Sequence, residues 1–154
     1  GIIGDMKKQK IVFMALRFAM GFVFLWAFLD KTFGLGFATT ADKAWMNGGS
    51  PTTGFLSFGV RGPLAEFFQS LAGLAIVDWL FMLALVFTGL TLIFNKYVKW
   101  GAIVGSVLML LMYLALLLPE NNPLIDEHIV YILVLALVGT SRHDSLPEGQ
   151  REKF

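Results

Sequence analysis

Six ionisable residues stand at the ends of long apolar tracts: Asp30, Lys31, Asp78, Asp126, Glu127 and His128. Charge near hydrocarbon is costly unless it is paired or used, so these residues form the first site hypothesis. The chemistry open to them is proton handling. His128 and Tyr131 are three apart and share a helical face, and either could donate a hydrogen bond to a carbonyl oxygen. Asp78 or Asp30 could accept or relay a proton. A quinone or similar amphipathic ring asks for this set: an apolar channel for its tail and one or two polar groups for its oxygens. Trp26, Phe67, Phe68 and Trp79 could line such a pocket, with Lys31 and Asp126 close by. The chain has 15 phenylalanines, so aromatic lining alone discriminates little.

Other chemistries fit less well. Asp126, Glu127 and His128 are consecutive, and one helix cannot turn three consecutive side chains to one ion, so no metal is expected. His128 and His143 are 15 residues apart, about 22 Å of helix, too far to hold one haem together. The chain has no cysteine, which excludes a thiol relay, a thiolate-held iron–sulfur cluster and covalent haem. Serine-nucleophile, phosphate-loop and dinucleotide motifs are absent. The basic residues are too scattered for a nucleic-acid groove.

The elements that must position these residues are apolar. Hydrophobic residues make up 56% of the chain and charged residues 15%, with a mean hydropathy of +0.71. A soluble domain carries about 25% charged residues. Tracts at 11–29, 71–94, 100–118 and 124–140 approach the length of about 20 residues that crosses a bilayer. The expected fold is an all-α integral membrane protein. It has a bundle of four transmembrane helices and a long outer loop, about 34–70, containing short interfacial helices. Residues 1–10 read as a cytoplasmic N-terminal segment, 11–141 as the membrane domain and 142–154 as a cytoplasmic tail. The first tract reads as a retained helix, because no small-x-small cleavage site follows it promptly.

Four crossings put both termini on one side. That side holds nine of the 12 basic residues, among them Lys7, Lys8, Lys10, Lys96 and Lys99, and the positive-inside rule makes it cytoplasmic. Arg17, seven residues beyond Lys10, can snorkel back to the headgroups or hold a buried partner. Gly21, one turn further on the same face, would admit a neighbouring helix closely. Gly101 and Gly105 form a second small-residue pair. Trp26 lies four before Asp30 and suits interfacial anchoring or a pocket. Asp78 suits either a cap, if its helix begins near Trp79, or the shared site. At the fourth helix Asn122 can cap and Pro123 can take the first position, with Asp126 and Glu127 in the first two turns. Its fully apolar run, 129–138, is only ten residues long, so either the bilayer thins there or the acidic cluster lies at headgroup depth. In the outer loop, 38–47 could form a short helix ended by Gly48-Gly49, and PLAEFFQSLAG a surface-lying one opened by Pro63.

Three stretches carry a resemblance to the DoxX/DoxD-like membrane proteins. LRFAMGFVFLWAFLDKTFG is similar to that family's first helix through Arg17, Gly21, Trp26, Asp30 and Lys31. GLAIVDWLF is similar to the start of its second, through Asp78 and Trp79. NNPLIDEHIVY is similar to the start of its fourth, through Asn122, Pro123, Asp126, His128 and Tyr131. The resemblance implies a four-helix protein of a prokaryotic cell membrane and, for some members, quinone-coupled oxidation of a reduced sulfur compound such as thiosulfate. It also implies a second redox subunit. With it, His128, Asp78 and Asp30 are the candidate catalytic residues. Tyr131, Arg17, Lys31, Trp26, Trp79, Asp126 and Asn122 are the candidate quinone- or substrate-binding residues. A homodimer, a noncatalytic scaffold in the lipid and a small-solute transporter component are the alternatives.

Overall fold

A computed structural model describes residues 1–141. The expected tail, 142–154, lies outside the described residues. The described residues are helical and contain no strand: α1 (Ile2–Phe33), α2 (Ala65–Gln69), α3 (Ala75–Ile93), α4 (Val98–Ala115) and α5 (Glu127–Thr140). Two single 3-10 turns, Ala41–Lys43 and Trp45–Asn47, and a π turn, Phe55–Gly59, punctuate the long segment between α1 and α3. α1, α3 and α4 are long and apolar enough to cross a membrane, and the chain is a membrane protein on that ground. Their outward residues agree: Leu80, Leu83 and Phe87 of α3 and Ile103, Val107 and Leu111 of α4 are exposed.

The helices pack in a ring, α1 on α3, α3 on α4, α4 on α5 and α5 on α1. Small residues set the close approaches. A Cβ on Gly21 would come within 2.9 Å of Ile93 Cγ1, and one on Gly89 within 2.8 Å of Leu25 Cβ. The Gly101/Gly105 pair is spent inside the chain. Gly101 lies against Thr91 and Gly105 against Thr88 and Leu135, while Thr88 Oγ1 donates to the Gly101 carbonyl at 3.2 Å. The core between them holds Met20, Phe24, Met82, Leu92, Met109 and Leu135.

Several expected boundaries move. α1 is continuous through residue 10, so the expected segment 1–10 is the first part of a helix about 48 Å long. It ends at Gly34, whose left-handed backbone (φ 66°) returns its N–H to the Asp30 carbonyl. α3 starts at Ala75, so Asp78 lies inside the first turn and caps nothing. The region 38–47 makes two 3-10 turns rather than one helix, with Gly48 at φ 88° ending the second. The surface-lying helix begins at Ala65, two residues after Pro63.

α5 departs most from expectation. Its N-cap is Asp126, whose Oδ1 accepts the His128 and Ile129 N–H groups at 2.9 and 3.3 Å. Asn122 caps no helix. Its Oδ1 accepts from the N–H groups of Leu124 and Ile125, a local turn that competes with helix formation. The helix is thereby cut to 14 residues, about 21 Å.

Candidate functional site

The end of the bundle that carries segment 34–74 and the α4–α5 connection also carries the expected ionisable cluster. Asp30, Asp78 and the Asp126–His128 pair are held in three separate units. Asp30 is 2% exposed. Its carboxylate accepts three backbone N–H groups, from Phe37 at 3.2 Å, Ala38 at 2.8 Å and Thr39 at 3.0 Å. Successive N–H groups converging on one anion satisfy a buried charge with fixed dipoles. Trp26, one turn earlier, packs edge-on against Phe37 with centroids 5.1 Å apart, so both residues anchor the same loop.

Asp78 is also buried, and it works in the same way on a distant stretch. Its Oδ1 accepts from Ser50 Oγ at 2.7 Å, Thr52 Oγ1 at 2.6 Å and Thr52 N–H at 3.3 Å. Ser50 Oγ in turn accepts from the Thr53 N–H at 3.1 Å. Trp79 packs edge-on against Trp45 at 4.7 Å. Thus α3 pins both 45 and 50–53 across its first turn.

His128 is buried at the start of α5, and its Nδ1 lies 2.8 Å from Asp126 Oδ2. With Asp126 ionised, Nδ1–H is the donor, which leaves Nε2 of the neutral ring as an acceptor. The pair orients the ring, whose Nε2 accepts when the ring is neutral and donates when it is imidazolium. Burial raises the Asp126 carboxyl, but hydrogen bonds from the His128 ring and the Ile129 and His128 N–H groups outweigh it, and the net shift is below the ordinary carboxylate value. Tyr131 packs against the main core, and Tyr113 OH, unremarked in the sequence, donates to the Leu124 carbonyl at 2.6 Å.

Adjacency in sequence does not separate Asp126, Glu127 and His128 in space. Asp126 is extended and outside the helix, and one ligand atom from each of the three falls within 4.8 Å of the others. Both Asp126 oxygens are already committed to protons, Oδ1 to the backbone and Oδ2 to the ring.

Among the described residues, a cleft and a groove lie near this end. The cleft, of about 370 Å³, is lined by Arg61, Glu120, Asn122, Asp126 and Glu127, with Arg61 paired to Glu120. The groove, of about 1030 Å³, lies between α3 and α4. It runs from Val77 to Leu90, about 20 Å along α3. Phe55, Leu56, Phe67 and Phe68 roof one end, and among the described residues Lys31 is the only charged one in its wall. Lys31 is half-buried, with Nζ 5.8 Å from the Phe81 ring centroid, and among the described residues it has no carboxylate partner.

The expected residues therefore distribute. Lys31 reaches the groove, Asn122 and Asp126 the cleft, and His128 and Tyr131 line neither cavity. Phe67 and Phe68 line the groove, and Trp26 and Trp79 do not. Arg17 is 13 residues of continuous helix from Asp30, about 20 Å away along α1. Thr52, Phe81 and Phe87 are groove residues that sequence reasoning passed over. The buried carboxylate of Asp78 was the available signal for Thr52, since a hydroxyl-rich turn such as SPTT is a natural partner for it. No family model, no curated protein and no solved structure matches this chain.

Proposed function

We propose that the protein is a four-crossing membrane subunit that binds a quinone in the α3–α4 groove and passes to it electrons from a small reduced sulfur compound such as thiosulfate. The groove carries this reading. Its size suits a ring and part of a chain, its wall is apolar, and Lys31 stands at the roofed end as a donor for a carbonyl oxygen. Quinone reduction takes up two electrons, supplied when two thiosulfates join through a new S–S bond, and two protons, which come from the water side. Lys31 serves as the hydrogen-bond donor in place of His128, and the Asp126–His128 pair lies by the cleft, apart from the groove.

α5 is the fourth crossing. It packs along α4 from Leu135 at Gly105 to Gly139 at Ala102, with Leu133 and Leu137 turned outward. A 14-residue helix falls short of the roughly 30 Å core, so the bilayer thins on that flank. The basic asymmetry supports cytoplasmic termini, and the resemblance to DoxX-like proteins supports a prokaryotic cell membrane and a partner redox subunit or a second copy.

One observation favours a second reading, a noncatalytic scaffold. Asp30 and Asp78, the expected proton acceptors, are engaged in holding loops. Purification in mild detergent, lipid extraction with mass spectrometry and titration with a water-soluble quinone separate the two. The quinone reading expects copurifying quinone and an affinity about tenfold weaker in Lys31→Gln, with His128→Ala unchanged. No copurifying quinone and no saturable binding would leave the scaffold.

A further inference from the structure

Arg17 belongs to neither cavity, and its surroundings differ from those of every group above. Gly21 rests on Leu92 and Ile93, the last turn of α3. Arg17 is one turn earlier on the same face of α1, and so lies at the level of the hairpin that follows α3, with Phe13 a further turn out still packed against the core. Its Nη1 is buried, and among the described residues it has no hydrogen-bond partner. A guanidinium nitrogen out of water calls for an acceptor. Lys10, two turns earlier, falls on the same face, and Lys96 and Lys99 sit at the hairpin joining α3 to α4, the same end of the bundle. Asp5 is the one acidic residue at this end among the described residues.

The geometry points to a site for the phosphate of an anionic phospholipid, in the leaflet on the lysine-rich side. Arg17 supplies the planar fork, and Lys10 a second charge nearer the water. A lipid fits better than a free anion because of depth. Arg17 is about 10 Å beyond Lys10 along the helix, below the level a hydrated phosphate reaches at little cost. The exposed Met14, Phe18 and Phe22 on the flank of α1 give the acyl chains a surface. This inference needs only the membrane placement of α1 and α3 and is independent of the quinone reading.

The test uses the full chain in neutral detergent, with native mass spectrometry and thermal unfolding in added phosphatidylglycerol or phosphatidylcholine. Wild type is expected to retain phosphatidylglycerol with about tenfold preference and to unfold at a higher temperature with it. Arg17→Gln should abolish the preference, Arg17→Lys should weaken it severalfold because a point charge lacks the fork, and Lys8→Gln, on the opposite face, should leave it intact. Equal retention of both lipids by wild type, or an unchanged preference in Arg17→Gln, would overturn the site. Displacement of the lipid by millimolar inorganic phosphate would assign the site to a free anion and overturn the lipid. Should Arg17→Gln fail to fold, the wild-type lipid preference and its thermal shift still decide: their absence refutes the proposal.

Discussion

Thr52 donates its hydroxyl to Asp78 Oδ1 at 2.6 Å across 26 residues of sequence, and the same threonine lines the wall of the groove. A polar anchor and an apolar wall thus meet in one side chain. The roof over the groove is held by a hydrogen-bonded carboxylate as well as by the packing of Leu56, Val60, Phe68 and Ala115.

Breaking that anchor should loosen the roof more than the bundle. Asp78→Ala strands the hydroxyls of Ser50 and Thr52 and is expected to cost about 2–4 kcal/mol, and Thr52→Val about 1–2 kcal/mol. The two share one bond, so the double variant Asp78→Ala/Thr52→Val should fall short of the sum by about 1 kcal/mol. Unfolding in detergent reads these values, and limited proteolysis within 50–62 should accelerate first. Additive effects would show that the two residues act separately.

At α5 the cap and the imidazole share one carboxylate. Asp126→Ala should cost about 1–2 kcal/mol through the lost N-cap. The pH dependence follows from the lowered folded-state value of Asp126. A carboxyl lowered on folding contributes stability that is present above its ordinary value and is lost as pH falls through the folded one. Wild type should therefore lose stability on acidification below the ordinary carboxylate range more steeply than Asp126→Asn. Parallel acid profiles for the two proteins would refute this role.

The glycines of α4 test the helix packing. A Cβ on Gly101 would stand 1.8 Å from Thr91 Oγ1, while nothing lies within 4 Å of one on Gly54, whose φ of −61° any residue accepts. Gly101→Ala is expected to destabilise by about 1–3 kcal/mol through overpacking. Gly54→Ala should be neutral or slightly stabilising. Thermal unfolding of the two variants side by side is the measurement.

The apolar tracts were legible because burying or lipidating an element leaves a mark in composition at every position. The tracts 71–94 and 100–118 lie within a few residues of α3 and α4 for that reason. Local competition was harder to read. Asn122 and Asp126 are both good caps, and only the turn that Asn122 makes with Leu124 and Ile125 passes the role to Asp126. Of the ionisable residues at the tract ends, Asp30, Asp78 and His128 are buried, while Lys31 and Asp126 are half-buried and Glu127 is exposed. What occupies them was only partly legible. The partners of Asp30 are backbone N–H groups, which every residue carries and no motif marks, and those of Asp78 lie far upstream in a turn. Gly101 and Gly105 announced a close helix contact, but whether the contact lies within one chain or between two depends on which helix arrives, and Thr88 and Thr91 of α3 decide it.

The two buried aspartates face opposite directions along the chain, and this sets an order of assembly. The partners of Asp30 follow it by seven to nine residues, so that strap can close as soon as Thr39 has been made. The partners of Asp78 precede it by 26 to 28 residues, so Ser50 and Thr52 are synthesised before the carboxylate that will hold them exists. Until α3 is in place, the segment that becomes the roof has only its own turns to organise it, and it must be kept from pairing elsewhere. The roof can thus be pinned only once α3 has been made, and the groove beneath it is complete only when α4 joins.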